Sequence, residues 1–353
     1  MNPASQRLDR LADRALHALG LFNLGLVALF FLVMAGMAPA VAQPACSGAD
    51  MLAAMQREDP ARLEAIRSEA AATANGSGLL WRIEGAAAGP SWLFGTMHMA
   101  DPRVVALPQA TQAAFDAART VVIESTDILD DATMAAALLA DPELTMFTDD
   151  TTLRSLIDPS DLAMVEEELG RRGIPLSAVN KMKPWMVAAT VALPACELAR
   201  IRGGERVLDQ RLAVDAQADG KEVGGLETVA DQLGAMASLP MDFHVEGLVE
   251  TLRIGDRIDD VMETMVQIYL DGETGLFWPF FRVALPAATP TGSAFADFEE
   301  TMITARNRHM AERSVPFIEE GGAFIAVGAL HLPGEDGLVQ QLRDAGYAVE
   351  RVE

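Results

Sequence analysis

The sequence predicts an α/β fold: a mixed central sheet with flanking helices and a large helical middle section. Three observations predict it. Short apolar runs that stop at a glycine or a carboxylate recur at 79–83, 91–94, 120–123 and 323–328, with a further short strand-like run at 221–225, and apolar runs of this length bounded by turn residues read as buried strands. Between about 130 and 320 the spacing is helical instead. At the C-terminus the pattern returns to strand, turn, helix and strand in AFIAVGALH, LPGEDG, LVQQLRDAGY and AVERV.

In chain order, the first 42 residues stand apart. Arg7, Arg10 and Arg14 precede an apolar run at 19–37, which ends in small residues and Ala40-Val41-Ala42, the layout of a secretory signal peptide. The run is also long enough to span a bilayer, so the alternative is an uncleaved anchor that associates the protein with a membrane through residues 19–37. Either reading places residues 43–353 outside the cytoplasm, in the periplasm or secreted. Cys46 and Cys196 are the two cysteines, and an exported chain with that count admits one disulfide; two separate buried thiols are the other reading. Residues 50–72 read as an Ala-rich helix ended by Asn75-Gly76-Ser77-Gly78, and 79–83 and 91–94 as a strand pair joined by GAAAGP. A short helix at 108–118 leads to the β-branched run 120–123, which stops at Glu124. Helices follow at 131–139, 160–169 and 183–200, where Pro194 should kink or break the last. Residues 208–218 continue the helical pattern to Gly220, 221–225 form a short strand, and helices fill 228–319 with an irregular interruption at 286–292.

The 353 residues carry 27 basic and 51 acidic side chains, a net charge of −24. A nucleic-acid partner is thereby excluded for want of phosphate-neutralising charge. Motifs for serine and cysteine nucleophiles, Walker loops and dinucleotide binding are absent, as is HExxH. What stands out is a repeated turn: Gly95 precedes His98 by three residues and Gly328 precedes His331 by three, in a chain with five histidines. Glu124 and Glu227 also lie just past predicted strands. Strands sharing one sheet and one direction would bring all four to its carboxyl edge, where ligand sites gather in such sheets. The plain alternative for each is an ordinary polar residue at a strand end.

Two imidazoles with one or two carboxylates form a nitrogen and oxygen donor set suited to Zn²⁺, Mn²⁺, Fe²⁺ or Co²⁺. Such an ion activates water, so the reaction class is hydrolysis. Without a metal, His98 held by a carboxylate could serve as a general base. Arg306 and Asn307, in ARNRHMA, could face a developing oxyanion or form a solvated helix face. Glu335 and Asp336 read as helix-capping acids, Lys183-Pro184-Trp185 as a helix start with an aromatic anchor, and His244 and His309 lie in helical surroundings without a partner motif.

The turns LFGTMHMADPRVVALP and VGALHLPGEDGLVQQLRDAGY, with Glu124, KPW at Lys183, VLDQ at Val207, GLET at Gly225 and ARNRHMA at Ala305, resemble the TraB/GumN family, which is similar in turn to the Tiki metalloproteases. The resemblance spans nearly all of 43–353, with the helical section at about 130–320. It implies an α/β core and a metal-dependent hydrolase site built from His98, His331 and Glu124, with Glu227, Arg306 and Asn307 as further positions. The expected function is therefore an exported, peptidase-like hydrolase acting on a peptide or another envelope substrate. The competing expectation is a non-enzymatic binding or regulatory protein of the cell envelope.

Overall fold

Six strands form one mixed sheet in the order β4-β3-β5-β2-β1-β6. They are β1 (Leu80–Glu84), β2 (Ser91–Thr96), β3 (Thr120–Ile123), β4 (Glu222–Gly225), β5 (Ala323–Gly328) and β6 (Ala348–Arg351). The computed structural model describes residues 46–85, 89–284 and 293–352, which belong to one unit, Pro44–Glu353. The leader expected at 1–42 and the interruption expected at 286–292 lie outside the described residues. The mixed α/β class predicted from the sequence is the observed one.

β2, β5, β3 and β4 run parallel, whereas β1 is antiparallel to both β2 and β6. A short loop suffices for the β1–β2 pair, but parallel neighbours need long crossovers, and the helical section supplies them. β5 is last of the four parallel strands in sequence and lies between β2 and β3, so both its faces must be apolar. Phe324 and Ala326 pack on one side with Phe94, Phe115 and Leu208; Ile325 and Val327 pack on the other with Leu93, Leu338 and Leu342. The period of two along the strand thus feeds two cores. All four parallel strands end at one edge, the geometry needed to gather polar residues that follow them.

The helices that build the site are α1 (Pro184–Val191), α2 (Ala195–Arg202), α3 (Leu208–Ala218), α4 (Val229–Ser238), α5 (Met241–Ile254), α6 (Ala305–Glu320) and α7 (Leu338–Asp344). Residues 183–200 divide into α1 and α2, with Pro194 as the residue that caps α2. The helix expected at 50–72 is also two, Met51–Glu58 and Pro60–Ala71. Pro60 cannot donate to the preceding turn, and the Asp59 carboxylate accepts the Arg62 N–H at 3.1 Å to start the second helix. Val187 of α1 and Leu248 and Leu252 of α5 share a third core with Leu153, Val165 and Leu169. No helix among the described residues is long and apolar enough to cross a membrane.

Cys46 and Cys196 are joined in a disulfide, with Cα atoms 5.3 Å apart and a sequence separation of 150. The bond ties the segment ahead of the first described helix to the start of α2. Cross-linking restricts the unfolded chain, and reduction is expected to cost about 2–4 kcal/mol. Denaturant titrations with and without dithiothreitol measure it, and coincident curves would contradict the expectation.

Candidate active site at the carboxyl edge of the sheet

The His98 turn is fixed from the helical section. The Leu208 N–H donates to the Met99 carbonyl at 3.2 Å, which sets the start of α3 against the turn and brings Asp209 beside His98. Asp209 Oδ2 lies 2.6 Å from His98 Nδ1, and its other oxygen accepts from the Thr96 hydroxyl. Asp209 is buried, while the His98 side chain is 61% exposed and lines a cavity. The negative charge of Asp209 is the main cause lifting the His98 imidazole to about 9, reinforced by their hydrogen bond and by Glu124 and opposed by desolvation and Arg306. With Nδ1 taken by Asp209, Nε2 is the nitrogen left to the cavity.

Glu124 follows β3 directly and is buried. Its Oε1 accepts the Gly328 N–H at 2.7 Å and sits 3.9 Å from His331 Nε2. Its Oε2 accepts from Arg306 Nη2 at 2.7 Å and Gln232 Nε2 at 2.9 Å. Burial works against the ionised form, yet His331, His98 and Arg306 and the Gly328 N–H hold the carboxyl down to about 2. A carboxylate held so low accepts hydrogen bonds and positive charge rather than protons. The glycines of the two turns serve close approach. Neither has positive φ, but a Cβ on Gly328 would stand 3.2 Å from Glu124 Oε1, and one on Gly95 would stand 2.7 Å from Leu332 Cδ1.

His331 is buried behind Glu124, its Nδ1 2.7 Å from Asn307 Oδ1. Asn307 Nδ2 donates to the Asp336 carbonyl at 2.8 Å, which orients the amide so that its oxygen faces the ring. His331 therefore carries its proton on Nδ1 and turns an unprotonated Nε2 to Glu124. Burial is the main cause holding this imidazole down to about 4. Because the folded value lies below that of the unfolded chain, about 6.5, the unfolded state takes up the proton first. Stability should then fall as pH drops from about 6.5 through 4, and His331→Gln should flatten that slope in denaturant titrations across the same range. Equal slopes for the two proteins would contradict the assignment.

Arg306, at the start of α6 and just past a π-helical turn at Glu300–Thr304, joins the carboxylates. Besides Glu124 it donates to Glu227, from Nη2 at 2.7 Å and from Nε at 3.1 Å. Glu227 also accepts from Gln232 at 3.3 Å. The expected position of Arg306 before an oxyanion thus changes character: Nε and Nη2 are given to carboxylates and Nη1 donates to the Met302 carbonyl at 3.3 Å, so what remains for a ligand is the second Nη1 hydrogen and the charge.

His98, Glu124 and Arg306 line one cavity of about 480 Å³ together with Gln232 and an apolar wall. Glu227 stands behind Arg306, and Asn307 behind His331. The four proposed metal donors do not close around one point: among the described residues no group of three or more His, Cys, Asp or Glu is gathered to hold an ion. Two contacts account for this. Arg306 bridges Glu124 and Glu227, and Asp209 holds His98. The donor chemistry nevertheless fits a divalent cation at Glu124 and His331, joined by His98 when its Nε2 gives up its proton. Both imidazoles have Nδ1 committed to an oxygen, the arrangement that prepares Nε2 as a ligand. Glu124 and Glu227 share the Arg306 guanidinium and Asp209 pairs with the protonated His98, so three carboxylates meet two positive charges and leave negative charge toward a dication. Glu227, with both oxygens on Arg306, does not fit as a ligand.

Asp209 and Gln232 were not singled out in the sequence. Asp209 lies in VLDQ, a motif quoted only for resemblance, and its signal is that of an acid within a helix, indistinguishable by itself from a solvated one. Gln232, in α4, has no motif signal.

A model of the TraB/PrgY/gumN family matches residues 79–351. The chain is 23% identical over 327 residues to a protein of Nematostella vectensis named Metalloprotease TIKI homolog, across 79% of this chain and 68% of that one. It is 26% identical over 308 residues to Metalloprotease TIKI2 of Xenopus tropicalis, across 74% of this chain and 57% of that relative. No solved structure matches the chain.

Proposed function

The chain belongs to the TraB/PrgY/gumN family, and from that premise we propose that it is an exported hydrolase of peptides, with its site at the carboxyl edge of the sheet. The observation that carries the reading is the pairing of a water-accessible His98 with the buried Asp209, in one cavity with Glu124 and Arg306. An imidazole oriented by a buried carboxylate is built to move a proton at its other nitrogen. At neutral pH it carries that proton, so His98 delivers it from Nε2 to the departing amine. Asp209 fixes the ring and stabilises its charged form. Arg306 holds Glu124 and Glu227 in place against their mutual repulsion, and Asn307 fixes the proton of His331 on Nδ1. The names of the two relatives support a divalent metal, for which Mn, Co, Zn and Fe remain the candidates; Glu124 and His331 would hold it, and His98 would become a third ligand only on losing the Nε2 proton that it otherwise delivers. Such an ion would acidify a bound water and polarise the scissile carbonyl.

Export rests on the layout of residues 1–42, and the mass of the mature N-terminus from cells reports processing after Ala42. For the metal, protein purified without chelators is expected to contain one divalent ion per chain, to lose it in His331→Ala, and to keep it in Glu227→Gln. Metal equally retained in all three would contradict the assigned ligands.

A further inference from the structure

Besides α3, two helical elements hold the His98 turn. The helix Ile258–Leu270 takes its ends: the Tyr269 hydroxyl donates to the Gly95 carbonyl at 3.0 Å, and Glu263 accepts from Arg103 Nη2 at 2.7 Å while that guanidinium also holds Asp101. The other element is α2. Glu197, in its first turn, is fully buried; one carboxylate oxygen accepts the Ala100 N–H, and the other pairs at 3.0 Å with Arg200, which also reaches Asp101 at 3.2 Å. A buried ion pair is seldom worth more to stability than apolar packing of the same volume, so the pair with Arg200 does not by itself account for a carboxylate here. What Glu197 secures besides is the backbone two residues past His98.

The disulfide joins the two elements. Cys196 directly precedes Glu197 in α2. Cys46 opens a segment that docks on the helix Ile258–Leu270: the Ala49 N–H donates to Asp260 Oδ1 at 2.7 Å and the Met51 N–H to Thr264 Oγ1 at 2.8 Å. The bond therefore ties the helix that carries Tyr269 and Glu263 to the helix that carries Glu197, and the His98 turn is hydrogen-bonded to both. Asp209 orients the imidazole; these contacts set where the turn that bears it stands.

We propose that Glu197 is a positioning residue for His98 and that the Cys46–Cys196 disulfide keeps it in register, so that proton delivery at the site depends on this bond. The proposal rests on the hydrolase reading for its consequence, and a readout without turnover separates the two. Peptide hydrolysis by the metal-supplemented protein is measured below the melting transition of each variant. Glu197→Leu removes the acceptor of the Ala100 N–H; kcat is expected to fall about ten- to a hundredfold with KM unchanged, the cost of a displaced reacting group in a cavity otherwise left as it is. Glu197→Gln keeps an acceptor oxygen for Ala100 and gives up the charge toward Arg200, so kcat should stay close to that of wild type although both variants lose the ion pair. Cys46→Ala cuts the tether, leaves every buried charge in place and should lower kcat several-fold, again with KM unchanged; it decides the matter should Glu197→Leu not fold. Without turnover, the proton NMR signal of the His98 Nδ1–H bonded to Asp209, identified by its absence from His98→Gln, should appear in metal-free wild type and Glu197→Gln and be shifted or lost in Glu197→Leu. Wild-type kcat in either Glu197→Leu or Cys46→Ala overturns the proposal. So do equal losses in Glu197→Gln and Glu197→Leu, which a merely structural ion pair would produce. If the wild type cleaves no peptide, the hydrolase reading falls and the NMR signal alone decides: unchanged in Glu197→Leu it overturns the positioning role, and lost there but kept in Glu197→Gln it upholds it.

Discussion

Replacing His98 with alanine is expected to lower kcat/KM for peptide hydrolysis by about 10²–10⁴-fold, the usual contribution of a positioned proton donor. Alanine also strips the buried Asp209 of a partner, so His98→Gln, whose amide can still donate to Asp209, is the companion variant. It should lose as much activity with stability retained. Asp209→Asn separates positioning from proton transfer. The ring remains, but the charge that lifts His98 to about 9 is gone, so the alkaline limb of the pH–rate profile should move down toward about 6.5. A raised value means that the protonated, active form persists up to about 9 and is lost above it; removal of the cause must shift that loss to lower pH. Full activity in His98→Gln would remove this residue from the chemistry.

Arg306→Leu should have the largest effect on stability. The guanidinium is the bridge between Glu124 and Glu227, with side-chain exposures of 13%, 7% and 5% for the three residues. Without it, two buried carboxylates face each other with Gln232 as their shared donor. Removing one partner of a buried ion pair costs about 3–5 kcal/mol because the remaining charge is left uncompensated. The pH dependence carries the sign of that explanation. In the wild type Glu124 is held down to about 2, so its contribution is present above the unfolded value of about 4.3 and lost as pH falls toward 2. In the variant Glu124 loses the lowering influence of Arg306 and its carboxyl is driven upward. The deficit against wild type should therefore be greatest near neutral pH and shrink in acid, where it protonates. Glu227→Gln added to Arg306→Leu should recover part of the loss at neutral pH. Denaturant midpoints of the single and double variants at several pH values measure all of this, and a deficit independent of pH would point to lost packing instead.

Much of this architecture was legible in the sequence where local signals and strand ends coincide. Thr120–Ile123 reads as a strand from its β-branched residues alone, and Glu124 then has one place to be, at its end. The Gly-x-x-His turns identify His98 and His331 in the same way. Strand order was not legible, because the insertion of β5 between β2 and β3 pairs residues some two hundred positions apart and leaves no local mark. The role of the glycines was legible only in part: the sequence suggests a backbone bend, whereas Gly328 is required by the approach of Glu124. Asp209 was hidden because its partner is set by the docking of α3 on the His98 turn, a tertiary contact. The same holds for Glu227, whose metal reading ignored Arg306, 79 residues away in sequence. For His244, the absence of a nearby motif concealed a place in the cavity wall that only the packing of α1, α4 and α5 creates.

The central claim is that a proton-moving, hydrolytic site sits at the carboxyl edge of the parallel strands. The most direct measurement is mass spectrometry of a mixed peptide pool after incubation with the metal-supplemented wild-type protein and with His98→Gln in parallel. The predicted result is new peptide termini in the wild-type sample, suppressed by chelator and absent from the variant. An unchanged pool with folded, metal-supplemented wild-type protein, or the same new termini from His98→Gln, would contradict it.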